Sequence, residues 1–158
     1  MIGATGFVGS NLLRQAHFDA LYHSRNIAEI AGRHFDTVVC AGAPAAKWIA
    51  NREPEADLEN LQRLVASLAT VRCHEFVLIS TIDVYTALTG ADESDPCDGA
   101  NHAYGRHRRW LEHQVQALFD NALVVRLPAL FGRGLKKNVL FDLLHDRELA
   151  SIHPDARF

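Results

Sequence analysis

The chain has 158 residues, of which 48% are hydrophobic and 22% charged, with a formal net charge of −3. That is one domain's worth of chain and an ordinary globular composition, enough for a single buried core. The Lys and Arg residues are scattered, which argues against nucleic acid or an acidic membrane as partner, and no apolar run approaches the ~18 residues of a membrane span.

The N-terminus lacks the basic region, apolar stretch and small-residue cleavage site of a signal peptide. Cys40, Cys73 and Cys97 are isolated and odd in number, so they offer neither a C-x-x-C pair nor a disulfide framework. A reducing cytoplasm is the expected compartment. The nine histidines are dispersed, with no H-x-x-x-H pair beside a carboxylate, so no metal site is expected.

Strand and helix signals alternate along the chain. Met1-Ile2 is an apolar stub that runs into glycines at 3, 6 and 9. Phe7–His17 reads as a helix with Val8, Leu12 and Leu13 on one face, and Asp19–Tyr22 as a short strand before the polar break His23-Ser24-Arg25-Asn26. Ile27–Arg33 has room for two helical turns. Thr37–Cys40 is a β-branched apolar run that meets the tight turn Ala41-Gly42-Ala43-Pro44.

The next helix is the clearest. Pro54 suits a first turn, Glu53, Glu55 and Asp57 favour its N-terminal end, and Leu58, Leu61, Leu64, Val65 and Leu68 keep helical period. Phe76–Ile79 is an apolar strand stopping at Ser80-Thr81, and Thr86–Asn101 has the composition of a loop. Tyr104–Leu118 reads as a helix with Leu111, Val115 and Leu118 inward. Ala122–Leu127 is a further apolar strand, and Val139–Leu144 is helical.

Continuous apolar strands alternating with helices predict an α/β fold, a Rossmann-type doubly wound parallel sheet with helices on both faces. One domain over 1–158 is expected, truncated at one or both ends, with any substrate region absent or reduced to 133–158. A P-loop phosphotransferase is excluded by the lack of G-x-x-x-x-G-K-[ST]; the stretch from Gly132 to Lys137 is a basic loop.

A dinucleotide's pyrophosphate needs backbone N–H groups at close range, so glycines stand where side chains would block it. Gly3, Gly6 and Gly9, opening an amphipathic helix, fit that need, and an ordinary glycine turn fits them equally well. The later segments weigh on the choice. GATGFVGS, VVCAGAP, Asn60 within ADLENLQRL, FVLISTIDVY, AYGRHRRWLE and VVRLPALFG, in that order, resemble the landmarks of the extended short-chain dehydrogenase/reductase superfamily. That group includes NAD(P)-dependent nucleotide-sugar epimerases, 4,6-dehydratases and related reductases, and the resemblance runs from Gly3 to about Gly132.

The resemblance implies that Gly3, Gly6, Phe7, Val8 and Gly9 hold the pyrophosphate. It puts Ala41-Gly42 along the adenine and nicotinamide-ribose side, and Arg126 and Pro128 on the strand bordering the nicotinamide. Arg126 has a structural hydrogen-bonding role as its alternative. The break after the second strand position offers Arg25 and no acid, which favours NADP, with NAD open and a solvated Arg25 as the other reading. One strand–helix excursion looks compressed between Asn26 and Asp36.

By the same resemblance, Thr81 holds the substrate oxygen and Tyr104 exchanges a proton with it. The family's Y-x-x-x-K appears as Tyr104-Gly-Arg-His-Arg108. Arg108 keeps the charge, one turn along the same face, but cannot readily give up a proton, and His107 points away. Asp83 falls where the dehydratases carry a Glu base, yet the neighbouring acid of that motif is Ile82, and Asp83 reads equally as a loop cap.

Two functions follow. One is an NAD(P)-dependent oxidoreductase-type enzyme acting on a carbonyl, an alcohol or a nucleotide sugar. The other is a catalytically impaired dinucleotide-binding sensor or partner subunit. The expected partner is a small molecule, with no nucleic acid and no membrane; a homodimer is open.

Overall fold

The computed structural model describes residues 1–86, 91–97, 102–136 and 138–147. The chain divides into two compact units, Met1–Pro128 and Ala129–Phe158.

The first unit is built on three parallel strands, β1 (His34–Cys40), β2 (Arg72–Thr81) and β3 (Ala122–Leu127), in the order β1-β2-β3. Cys40 lies level with Leu78, and Leu78 with Val124. Ile2 extends the sheet beyond β1: it bridges Cys40 on one side and Tyr22 on the other, both in parallel. Ile2 N–H donates to Val39 O at 2.8 Å, and Gly3 N–H to Tyr22 O at 2.8 Å. The strand positions therefore run Tyr22, Ile2, β1, β2, β3. From Ile2 the chain first steps to one side and then crosses over to build outward on the other. This is a Rossmann-type α/β fold whose direction reverses at Ile2.

The helices are α1 (Phe7–Leu12), α2 (Lys47–Arg52), α3 (Pro54–Leu68) and α4 (Ala103–Leu118), with short 3₁₀ turns at Ile27–Ile30 and Ile82–Val84. Pro54 occupies the first turn of α3, with Glu55 and Asp57 beside it. Leu61 and Leu68 of α3 and Leu111 and Val115 of α4 are buried, as are Val38, Cys40, Phe76 and Leu78 of the sheet. The Phe119 ring stacks on Phe76 at 4.2 Å between centroids. Burial holds the Cys40 thiol up at about 11. No helix among the described residues is long and apolar enough to cross a membrane.

Several elements depart from their sequence pattern. The helix expected over Phe7–His17 ends at Leu12, and the strand expected over Asp19–Tyr22 shrinks to the single bridge at Tyr22. Past Leu12 the chain loosens into turns, with Ala16 N–H still donating to Leu12 O at 2.9 Å. The turns expected over Ile27–Arg33 reduce to a 3₁₀ piece leading straight into β1. Leu118 is exposed rather than inward, because the next residue, Phe119, fills the core at that end of α4. Residues 87–90 and 98–101 of the expected loop lie outside the described residues.

In the second unit, α5 (Val139–Leu144) has the extent its pattern predicts. Asn138 caps it: Oδ1 accepts from Phe141 N–H at 2.9 Å, and Nδ2 donates to Leu130 O at 2.7 Å.

Candidate active site at the carboxyl ends of the strands

Ligands of open parallel sheets sit outside the carboxyl ends of the strands, where the strand order reverses. Here that place lies between Ile2 and β1, and two turns meet there. Gly3 has φ +84°, and a Cβ on it would stand 2.3 Å from Ala41 O. A Cβ on Gly9 would fall 2.2 Å from Gly3 O, so both glycines are required by the fold itself. Gly42 is tight as well, its Cβ position 2.9 Å from Ile2 Cγ2.

Gly6 is different. Its φ is −74°, it is exposed, and its nearest neighbour to a Cβ is Gly3 O at 3.4 Å. Nothing inside the protein demands a glycine at 6, and its open backbone suits close approach from outside. Phe7 and Val8 follow, both half-buried at the start of α1. Arg25 is exposed in the turn after Tyr22, and its own N–H donates to His23 Nδ1 at 3.2 Å.

At the end of β2, Thr81 Oγ1 accepts from Asp83 N–H at 3.1 Å and caps the 3₁₀ turn Ile82–Val84. The same hydroxyl donates to Asp83 Oδ2 at 3.3 Å, while Lys47 Nζ donates to Asp83 Oδ1 at 2.5 Å. His102 Nε2 lies 3.7 Å from Asp83 Oδ1. His102 also caps α4, its Nδ1 accepting from Gly105 N–H at 2.9 Å. A Cβ on Gly105 would strike Asp83 O at 2.2 Å, so a glycine there lets α4 close directly onto the end of β2. Tyr104 N–H donates to Asn51 Oδ1 at 2.9 Å. Thr81, Asp83 and Tyr104 are thus brought to one end of the sheet.

Arg108 shares the Tyr104 face of α4, its guanidinium carbon 4.3 Å from the ring centroid. That guanidinium is buried and has further partners besides Tyr104. Nη1 and Nη2 reach the two oxygens of Asp57 at 2.9 and 3.0 Å, and Nη2 also donates to Pro44 O. His107 Nδ1 joins Asp57 Oδ2 at 2.9 Å. Burial alone would raise the Asp57 carboxyl, but hydrogen bonds from Arg108 and His107 hold it below its ordinary value. Tyr104 is pushed the other way: burial raises its hydroxyl above the ordinary value near 10, and the Asp83 and Asp57 charges add to that against Arg108.

Arg126 is engaged in a second buried network. Its Nε and Nη2 donate to the two oxygens of fully buried Glu112 at 3.1 and 2.8 Å, and Nη1 donates to Tyr85 Oη at 2.6 Å. Ser80 Oγ and Arg109 Nη1 complete the shell of Glu112 at 2.6 and 2.8 Å. These hydrogen bonds outweigh burial and keep the Glu112 carboxyl low.

Four residues of these networks, Asp57 as a buried partner, Glu112, Lys47 and His102, are not marked by any motif in the sequence. Two of these left a trace. Asp57 and Glu112 fall on the apolar stripes of their helices, four residues before Leu61 and one after Leu111, where an acid needs a cation. Lys47 and His102 left none, because their position depends on how α2 and α4 meet the end of β2.

The NAD dependent epimerase/dehydratase family profile matches residues 16–146, well over half of the chain. The glycine turn precedes the matched stretch. No curated protein matches. Among solved structures, a dTDP-4-dehydrorhamnose reductase from Clostridium acetobutylicum superposes with a TM-score of 0.69 at 20% identity, covering 91% of this chain and 57% of that one. A UDP-glucuronic acid 4-epimerase from Bacillus cereus, in complex with NAD, also reaches 0.69, at 18% identity, with 92% and 62% covered. The chain therefore spans less than two thirds of the length of either. With the reversal point, the paired glycine turns and the matched stretch together, the chain belongs to the NAD dependent epimerase/dehydratase family.

Proposed function

We propose that the chain binds a nicotinamide dinucleotide, NADP in preference to NAD, and transfers hydride to or from a carbonyl or alcohol, with a nucleotide sugar as the substrate class. The observation that carries this reading is Gly6, an exposed glycine that the fold does not require, at the reversal point of a parallel sheet. Gly3, Gly6 and Gly9, with Phe7 and Val8, would cradle the pyrophosphate, and Ala41-Gly42 would leave room beside it. Arg25, exposed after Tyr22 with no acid beside it, supports a 2′-phosphate. The dinucleotide, when bound, supplies or accepts the hydride. The nucleotide sugar is suggested by the reductase and the epimerase that share the fold. A reducing cytoplasm goes with the three free thiols.

In this reading the Thr81 hydroxyl holds the reacting oxygen and Tyr104 stands as its acid/base, with Asp83 beside them. Arg126 fits better as the partner of Glu112 than as a cofactor ligand. Arg108 favours a second reading. Its commitment to Asp57, together with the raised Tyr104 hydroxyl, suits a protein that binds dinucleotide without turnover.

Hydride-transfer assays separate the two. With NADP⁺ or NAD⁺ and UDP-glucuronic acid, the enzyme reading expects turnover that falls about 100-fold or more in Tyr104→Phe, with dinucleotide affinity unchanged. Binding without turnover, indifferent to that substitution, would favour the sensor.

A further inference from the structure

Arg108 already acts on Tyr104 from 4.3 Å, so a cation free to meet a ligand has to be found among side chains less tightly held. Arg108 is held by Asp57 and Pro44 O, and Arg109 and Arg126 are both held by Glu112. Both carboxylates are buried, and opening either pair would leave a charge stranded in the core. Lys47 is situated otherwise. Its side chain is 46% exposed and that of its partner Asp83 22%. An ammonium has three N–H donors and Asp83 uses one, so further donors remain for a ligand oxygen.

Lys47 and Thr81 sit on the two oxygens of a single carboxylate, Lys47 at 2.5 Å and the Thr81 hydroxyl at 3.3 Å. The elements that bring them there start from neighbouring strands: α2 follows the Ala41–Pro44 turn after β1, and Thr81 ends β2. Left unneutralised, Asp83 would repel negative charge on any oxygen bound at Thr81. It also pushes against ionisation of Tyr104. His102 spends its Nδ1 accepting the α4 capping bond, so only Nε2 is left to face Asp83, at 3.7 Å.

We propose that Lys47 is a second cation, besides Arg108, that serves the Thr81–Tyr104 site: its ammonium neutralises Asp83 and stabilises the negative charge that develops on a carbonyl or alcohol oxygen held there. This rests on the hydride-transfer reading for its chemistry, while the Lys47–Asp83–Tyr104 coupling can be measured without any substrate.

The test has two arms. In the first, Tyr104 is followed by ¹³C NMR of ring-labelled tyrosine through alkaline pH, with Tyr22 and Tyr85 assigned by substitution. Tyr104 is faced by Arg108 and His102 on its own helix, Asp57 on α3, and Asp83 after β2, the last paired with Lys47. Lys47→Met should raise its midpoint, Lys47→Arg should leave it near that of the unaltered protein, and Asp83→Asn should lower it. In the second arm, turnover of UDP-glucuronic acid with NADP⁺ or NAD⁺ should fall about 100-fold in Lys47→Met. Lys47→Arg should recover most of that loss, while KM and dinucleotide affinity change less than twofold.

An unmoved Tyr104 midpoint in Lys47→Met overturns the assignment, as does full turnover in that variant. Failure of either dinucleotide to bind the unaltered protein would instead overturn the functional reading, with the NMR arm still reporting on Lys47.

Discussion

Three glycines three residues apart have different reasons to be glycine. Gly3 needs its positive φ and its contact with Ala41 O, and Gly9 needs its contact with Gly3 O. Gly3→Ala should therefore cost more than about 2 kcal/mol of stability, from backbone strain before any clash is counted. Gly6→Ala should cost within about 1 kcal/mol, since Gly6 already has an ordinary φ and faces outward. Chemical denaturation of the two variants side by side checks this. Equal losses would mean that Gly6 is there for the fold. The spacing was legible in the sequence, but this division of roles was not, because it depends on which atoms of the Ala41 turn come up against the glycines.

At the scale of elements, the α3–α4 contact is organised by charge within an apolar interface. Asp57 and the Arg108 guanidinium are both buried, and removing one partner of such a pair costs about 3–5 kcal/mol. Asp57→Asn should lose stability of that order. The carboxyls of Asp57 and Glu112 both lie below their ordinary values in the folded protein. Each therefore contributes stability that is complete above the unfolded value of about 4 and is lost as pH falls through the lower folded value. Urea midpoints should drop steeply on acidification below about pH 4, and less steeply in Asp57→Asn. An equal slope in both proteins would show that Asp57 is not held low. The helices themselves were readable: α3 and α4 largely follow their apolar period, and α5 and β3 span their predicted residues. Two acids on apolar stripes could have been marked from sequence as needing a buried cation. The choice of partner could not, since it needs the angle at which α4 crosses α3 and the end of β2.

For the whole molecule, what matters is where the strand order reverses. Between Tyr22 and β1 the chain keeps only a 3₁₀ turn where a compressed excursion is expected, and among the described residues Tyr22 is the outermost strand position on that side. The reversal at Ile2 survives this shortening because two bridges and a glycine contact hold it. The family landmarks made the fold legible, since most mark the end of a strand and the others fall within α3 and α4. The chemistry was less so: Thr81, Tyr104 and Asp83 could be named from their motifs, but the diversion of Arg108 to Asp57 appears only in three dimensions. In the reading proposed above, a nicotinamide dinucleotide lies across the exposed Gly6 backbone. Titration of NADPH and NADH into the unaltered protein and into Gly6→Ala, followed by nucleotide fluorescence, tests it most directly. The expected result is saturable binding, tighter for NADPH, that weakens about tenfold or more in a still-folded Gly6→Ala, roughly the 1.4 kcal/mol of a tenfold change in Kd. No binding of either nucleotide, or equal affinity in both proteins, would contradict it.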